Sequence, residues 1–343
     1  MQNELRPVAD RMDGVPVPSE NLQLVQHHQR LAETLKPMLA GQGHHALLVT
    51  GDRGIGKATF AFHLARHLLS NGEPTDNVIR QIAQGAHPNL MHLARPWDEK
   101  TKKFKTQVSI AQIRKLQGFF AMTAGASGHR IAIIDSADEM NREGSNALLK
   151  VLEEPPRRSL FIVLSHSPGR LLPTIRSRCQ HLPLRPVEPE AMQPLLAQLQ
   201  PDANGRDDTR LAQLADGSVR RALLLRDGKL MDDYAIFERL VSANATGSPQ
   251  DWLLVHRLGD SLAPVARVGD HALFLDLAMG WISSQARRHG GASLAAVAGW
   301  AQVWESVGEH IRLAEAYNLD RKQVIVNLFA AIFAQNGRFP AAA

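Results

Sequence analysis

Apolar residues recur at helical spacing over residues 21–39, at Leu22, Leu24, Val25, Leu31, Leu35 and Met38. That spacing predicts an amphipathic helix stopped near Gly41. Residues 45–50 form a short apolar run closed by Gly51, the length of a buried strand, and helical periodicity returns over 57–70. Residues 130–135, RIAIID, predict a second strand. A helix follows through Ala147, Leu148, Leu149, Val151 and Leu152, which Pro155 and Pro156 must stop. Residues 159–164, SLFIVL, predict a third strand ahead of Pro168 and Gly169. Short, nearly continuous apolar strands separated by helices predict a parallel sheet covered on both faces.

Beyond this region the pattern changes. Pro183, Pro186 and Pro189 crowd together, and regular structure should break there. The strand signal then disappears, and residues 251–262, 270–288, 294–317 and 320–335 all carry helical periodicity, the last with Asp320 as N-cap. The expected organisation is an α/β domain over 1–186, a small helical lid domain over 187–229 and an all-α C-terminal domain over 230–343. Trp252, Trp281, Trp300 and Trp304 fall at helical spacing in that last region and are expected in its core. The sequence has no internal repeat, and the closing alanines should fray.

Composition narrows the class. A length of 343 residues suits two or three domains, and 44% hydrophobic residues exclude disorder over most of the chain. Lys and Arg exceed Asp and Glu by 39 to 34, a balance that permits contact with nucleic acid without arguing for it. Cys179 is the one cysteine, which excludes an internal disulfide, a CxxC redox pair and a Cys-rich zinc module. The N-terminal residues carry acids and lack an apolar signal core, and no run approaches the about 18 apolar residues of a membrane helix. A cytoplasmic, unprocessed protein without membrane contact is expected.

Two polar clusters carry little. Lys100, Lys102, Lys103 and Lys105, mixed with Trp97 and Phe104, read better as a solvated hairpin tip before a helix near Ser109 than as a nucleic-acid patch. His63 and His67 lie four apart on a helix but have no visible third ligand for a metal.

The segment Gly51-Asp52-Arg53-Gly54-Ile55-Gly56-Lys57-Ala58-Thr59 satisfies the G-x-x-x-x-G-K phosphate-loop pattern between a strand and a helix. Its glycines let backbone N–H groups converge on phosphate oxygens, the helix N-terminus adds a positive dipole end, and Lys57 reaches terminal phosphates. Ala58 stands where a Ser or Thr hydroxyl would ligate Mg²⁺, so phosphate cradling survives while metal placement weakens, with Thr59 still able to touch a nearer phosphate. Asp135 ends its strand as the metal-holding aspartate of a Walker B element does. Ser136 follows, and a serine cannot orient or deprotonate an attacking water as a carboxylate can. Asp138 and Glu139 read as charges at a helix N-terminus.

With NALLKVLEEPP over 146–156 and Ser177-Arg178-Cys179, the chain resembles bacterial clamp-loader subunits of the AAA+ class, within them the delta prime type of DNA polymerase III. The resemblance covers at least residues 21–225. It implies that Arg178 is an arginine finger directed at ATP held by a neighbouring subunit. It also implies that Ser165, or else His166, takes the sensor 1 position at the third strand's end, and that Arg220 is the sensor 2 arginine, with Arg221 facing solvent. Relatives often carry a four-cysteine zinc module after the P-loop helix, whereas residues 71–86 contain no cysteine, so no zinc is expected. ATP or ADP with weakly placed Mg²⁺ is the implied cofactor. The implied partners are gamma/tau-type motor subunits and a delta-type clamp-opening subunit, with the sliding clamp and primer-template DNA reached through the complex. The function expected is a non-hydrolysing subunit and rigid stator of the loader within the polymerase III holoenzyme, without ATPase activity alone. Two alternatives remain open: a motor ATPase of the same loader, which Ala58 and Ser136 oppose, and a stand-alone nucleotide switch, for which an arginine finger has no use.

Overall fold

The computed structural model describes residues 12, 15–24, 27–98, 103–104, 108, 110–121, 129–199, 208–226, 229–241, 247–289 and 293–338. The closing alanines, Lys100, Lys102, Lys105 and Ser109 lie outside these residues. The chain divides into two compact units, Met1–Arg220 and Arg221–Ala343.

The first unit runs α1 (His28–Leu39), β1 (Ala46–Thr50), α2 (Lys57–Leu69), α3 (Asp76–Ala83), β2 (Leu90–Leu93), β3 (Trp97–Asp98), β4 (Lys103–Phe104) and α4 (Ile110–Ala121). It continues with β5 (Arg130–Ile134), α5 (Arg142–Glu153), β6 (Ser159–Ser165), α6 (Pro173–Arg176), β7 (Gln180–Pro183), α7 (Pro189–Leu199) and α8 (Asp208–Ala215), and α9 (Val219–Arg226) crosses the boundary. Five strands form one sheet in the order β2-β5-β6-β1-β7, and every neighbouring pair is parallel. The short β3 and β4 pair as the antiparallel hairpin the sequence suggested.

Successive side chains of a strand point to opposite faces, so a buried parallel strand feeds two cores. Leu47, Val49, Ile131, Ile133, Ile162 and Leu164 join Phe60, Leu64 and Leu68 of α2 on one face. Ala46, Leu48, Ala132, Ile134, Phe161 and Val163 join Ile113, Leu116, Leu148 and Leu152 of α4 and α5 on the other. The strands absent from the sequence reading, β2 and β7, sit at the sheet edges, where burial is partial and the apolar run is broken by His92 and by Gln180 and His181.

The first helix is shorter than its periodicity suggests. It begins at His28 rather than near residue 21, after His27 in the left-handed region (φ 76°). The guanidinium of Arg66, 1% exposed, donates to the carbonyls of Ser19 and Asn21, at 2.9 Å for Asn21. Those carbonyls therefore serve α2 instead of a helical ladder, while Leu24 and Leu31 still reach the core.

The second unit contains α10 (Lys229–Val241), α11 (Pro249–Leu262), α12 (Val268–Arg288), α13 (Leu294–Tyr317) and α14 (Arg321–Arg338), and no strand among its described residues. Ser248 and Asp251 close a reciprocal capping box on α11. Asp320 Oδ1 accepts from the Lys322 amide at 2.8 Å at the start of α14, as its capping role requires. Trp300 is buried and packs edge-on to Trp281, but Trp304, expected in the core, is half exposed. Four residues past Trp300, a helix has turned through about 400°, so the two rings diverge enough for one to leave the core.

Candidate phosphate loop and arginine site

The six residues between β1 and α2 reverse the chain over a tight span. Gly51, Gly54 and Gly56 adopt φ of 145°, 84° and 98°, where a side chain is strained. Ile55, 2% exposed, inserts from the loop into the α2-side core and anchors it. Ala58 packs against the same core.

The loop is also tied to the segment before α9. The Ser218 hydroxyl donates to Arg53 O at 2.8 Å, and the Arg220 amide donates to Gly54 O at 3.2 Å. A Cβ at Gly54 would overlap Ser218 Oγ and lie 2.6 Å from Arg220 Cβ. Arg220, the proposed sensor arginine, thus stands directly beside the loop. Arg221 is not solvent-facing: its side chain is 24% exposed and pairs with Asp276.

Lys57 does not extend away from the loop. Its Nζ donates to Gly51 O at 2.7 Å and to Asp52 O at 2.8 Å. Burial lowers its pKa, against the opposing pull of Asp135, Asp138 and Asp52.

Asp135 follows β5 with its amide bonded to Leu93 O. Ser136 turns the chain with φ 52° and ψ 50°, and its hydroxyl lies 3.4 Å from Asp135 Oδ1. His92 Nε2 stands 4.0 Å from Asp135 Oδ2, and burial lowers its pKa although the carboxylate pulls the other way. Asp138 and Glu139 are not solvated helix charges. The Asp138 side chain is fully buried, accepts from the His166 amide at 3.2 Å and lies 3.0 Å from His166 Nδ1, while Glu139 pairs with Arg95 at 3.4 Å. They sit in a three-residue 3-10 turn whose geometry points them inward. Ser165 ends β6 beside Thr50, fully buried and with no hydrogen-bond partner on Oγ, and His166 is the residue spoken for by Asp138.

Arg178 lies two residues past the end of α6. Its NH2 group is 2.8 Å from Glu153 Oε1, and its NH1 group donates to Thr174 O at 3.0 Å. The two side chains are 37% and 40% exposed. Neighbouring Cys179 is buried, which pushes its thiol up to about 11 and leaves it unreactive.

The loop from Gly51 to Thr59, with Lys57 and Arg220 beside it, has the frame of a phosphate cradle, and Asp135 is the carboxylate at the strand end beside it. The set that would hold a metal there is reduced to that carboxylate by Ala58. Among the described residues no group of three His, Cys, Asp or Glu gathers as a metal site, and His67 Nδ1 is engaged with Gly72 O at 2.7 Å. No described helix is long and apolar enough to cross a membrane. Sequence reasoning missed Glu153, Thr174 and Ser218 as partners. The first of the two glutamates of LEEPP, Glu153, at a helix end followed by two prolines, was the one available signal.

The family model described as DNA polymerase III, delta subunit, matches residues 27–188. The chain is 32% identical over 235 residues to DNA polymerase III subunit delta' of Escherichia coli (strain K12), covering 66% of this chain and 67% of that protein. It is 34% identical over 196 residues to the subunit delta' of Bacillus subtilis (strain 168), covering 56% of each. Against the subunit delta' of Pseudomonas aeruginosa the match is 37% over 144 residues, covering 40% of this chain and 42% of that one. The chain thus spans about half the length of these last two relatives.

Proposed function

We propose that this chain, which belongs to the DNA polymerase III delta prime family, is a non-hydrolysing subunit of the clamp loader that presents Arg178 to nucleotide held by a neighbouring motor subunit. The observation that carries this reading is the setting of Arg178, half exposed on the α/β unit and held by polar anchors instead of core packing. A guanidinium fork so placed can neutralise charge on a transferring phosphoryl group across an interface.

Ala58 and Ser136 support the absence of hydrolysis, since position 58 has no metal-ligating hydroxyl and position 136, directly after Asp135, has no carboxylate. The P-loop would hold ATP or ADP with Mg²⁺ weakly placed, through Gly51, Gly54, Gly56, Lys57 and Thr59, with Asp135, Ser165 and Arg220 nearby, and no zinc. The partners would be gamma/tau-type motor subunits and a delta-type clamp-opening subunit, with the sliding clamp and primer-template DNA met through the complex. Residues 230–343 would form the assembly collar, residues 187–229 the lid, and the chain would serve as a stator.

The test is the ATPase of the reconstituted loader, stimulated by clamp and primed DNA, with wild-type chain, Arg178→Ala and Arg221→Ala. Arginine fingers contribute about 10³–10⁵-fold at the site they serve. Arg178→Ala should assemble normally yet slow the loader, with a smaller loss overall because other sites continue, and Arg178→Lys should rescue poorly. Equal rates in all complexes would reduce Arg178 to a surface residue.

A further inference from the structure

We propose that Glu153 is the positioning residue for Arg178, holding the guanidinium plane through its carboxylate while Thr174 O holds the other terminal nitrogen. This rests on the reading of Arg178 as a finger. The pair is flanked by buried residues. Glu153 directly follows Leu152, and Arg178 directly precedes Cys179, and both neighbours lie in one core cluster with Leu148, Val151 and Ile175. Glu153 is the last residue of α5, whose start is fixed by Asn141 Oδ1 accepting from the Gly144 amide at 2.8 Å and whose end is fixed by Pro155 and Pro156.

From that base the two anchors act on different nitrogens. Glu153 Oε1 takes NH2 at 2.8 Å, and Thr174 O takes NH1 at 3.0 Å. Two contacts from two elements define the plane of a rigid fork, which has five N–H donors in all. An ion pair this exposed adds little to stability. Its effect is on orientation: an arginine on the surface would otherwise sample many rotamers, and the pair raises the share of the anchored one by a few-fold.

The experiment uses the reconstituted loader with Glu153→Ala, Glu153→Gln, Arg178→Ala and the double variant Glu153→Ala/Arg178→Ala, after thermal melting shows each chain folded. Glu153→Ala should lower the stimulated kcat by up to about fivefold at the site served, the most that an exposed ion pair can impose on the orientation of its partner, and leave KM for ATP unchanged, as loss of a contact made only in the transition state requires. Glu153→Gln, which keeps an acceptor oxygen, should recover part of the rate and also covers the case in which the alanine variant fails to fold. The double variant should be no slower than Arg178→Ala, since residues acting through one another are not additive. A full rate in Glu153→Ala beside an impaired Arg178→Ala would overturn the positioning role and leave the finger standing. Additive losses, or a faster loader that makes the pair a restraining latch, would overturn it as well. An unimpaired Arg178→Ala would remove the finger and the positioning role with it.

Discussion

Lys57 donates its ammonium to the carbonyl oxygen of Gly51 at 2.7 Å, so the cation of the phosphate loop is satisfied by the loop that carries it. A terminal phosphate arriving there must compete with that bond and with the one to Asp52 O at 2.8 Å. Ala58 in place of a metal-ligating hydroxyl and Ser136 in place of a carboxylate predict negligible ATPase activity in the isolated chain. A positioned base alone contributes about 10²–10⁴-fold. Steady-state assays should find only background hydrolysis, and turnover near about 1 s⁻¹, the low end for enzymes, would contradict the prediction.

Gly54 is a loop position that accepts a side chain poorly. At φ 84°, and with Ser218 Oγ and Arg220 Cβ in the path of a Cβ, Gly54→Ala must either distort the loop or push the Ser218–Arg220 segment away. A loss of about 1–3 kcal/mol is expected from the backbone strain. Gly118→Ala, in an exposed turn of α4 with nothing within 4 Å of the added carbon, should instead gain about 0.5–1 kcal/mol. Denaturant melts of the two variants give the comparison.

Asp138→Ala leaves the half-buried His166 amide without its acceptor. The expected cost is about 1–3 kcal/mol, and hydrogen exchange at His166 should quicken more than at Ile131 in the neighbouring strand. Unchanged protection at His166 would mean that Asp138 does not hold the end of β6.

His63 adds a pH dependence. Burial first, and then Arg66 and His67, lower its pKa from 6.5 to about 4. The unfolded chain then binds more protons than the folded one between those values, so stability should decline as pH falls from 6.5 towards about 4. Melting temperatures over that window should flatten in His63→Phe relative to the wild type. Parallel curves would assign the decline to other groups.

Two tryptophans four residues apart should respond differently. Trp300 is 1% exposed and Trp304 is 50% exposed. Trp300→Ala should cost about 3–5 kcal/mol by leaving a large cavity, and Trp304→Ala, at a half-exposed ring whose site opens to solvent, should cost clearly less. Chemical denaturation of both variants decides it.

Strand, loop and helix around Lys57, the strand that ends at Asp135 and the strand before Ser165 were legible in the sequence, because fully buried parallel strands are runs of apolar residues and glycine and proline punctuate their ends. The edge strands β2 and β7 were not, since a half-buried strand loses that run and His92 and His181 interrupt it. Periodicity also overextended α1, because the competitor for its first carbonyls, Arg66, lies 45 residues away from Asn21 in the chain. The residue types of the site, Lys57, Asp135, Arg178 and Arg220, were set by local motifs, whereas their partners were not. That Asp138 is buried against His166 and that Glu153 reaches Arg178 depend on which elements packing brings together. A linear pattern records which face of an element is apolar, and only packing decides which charged groups then meet at its ends.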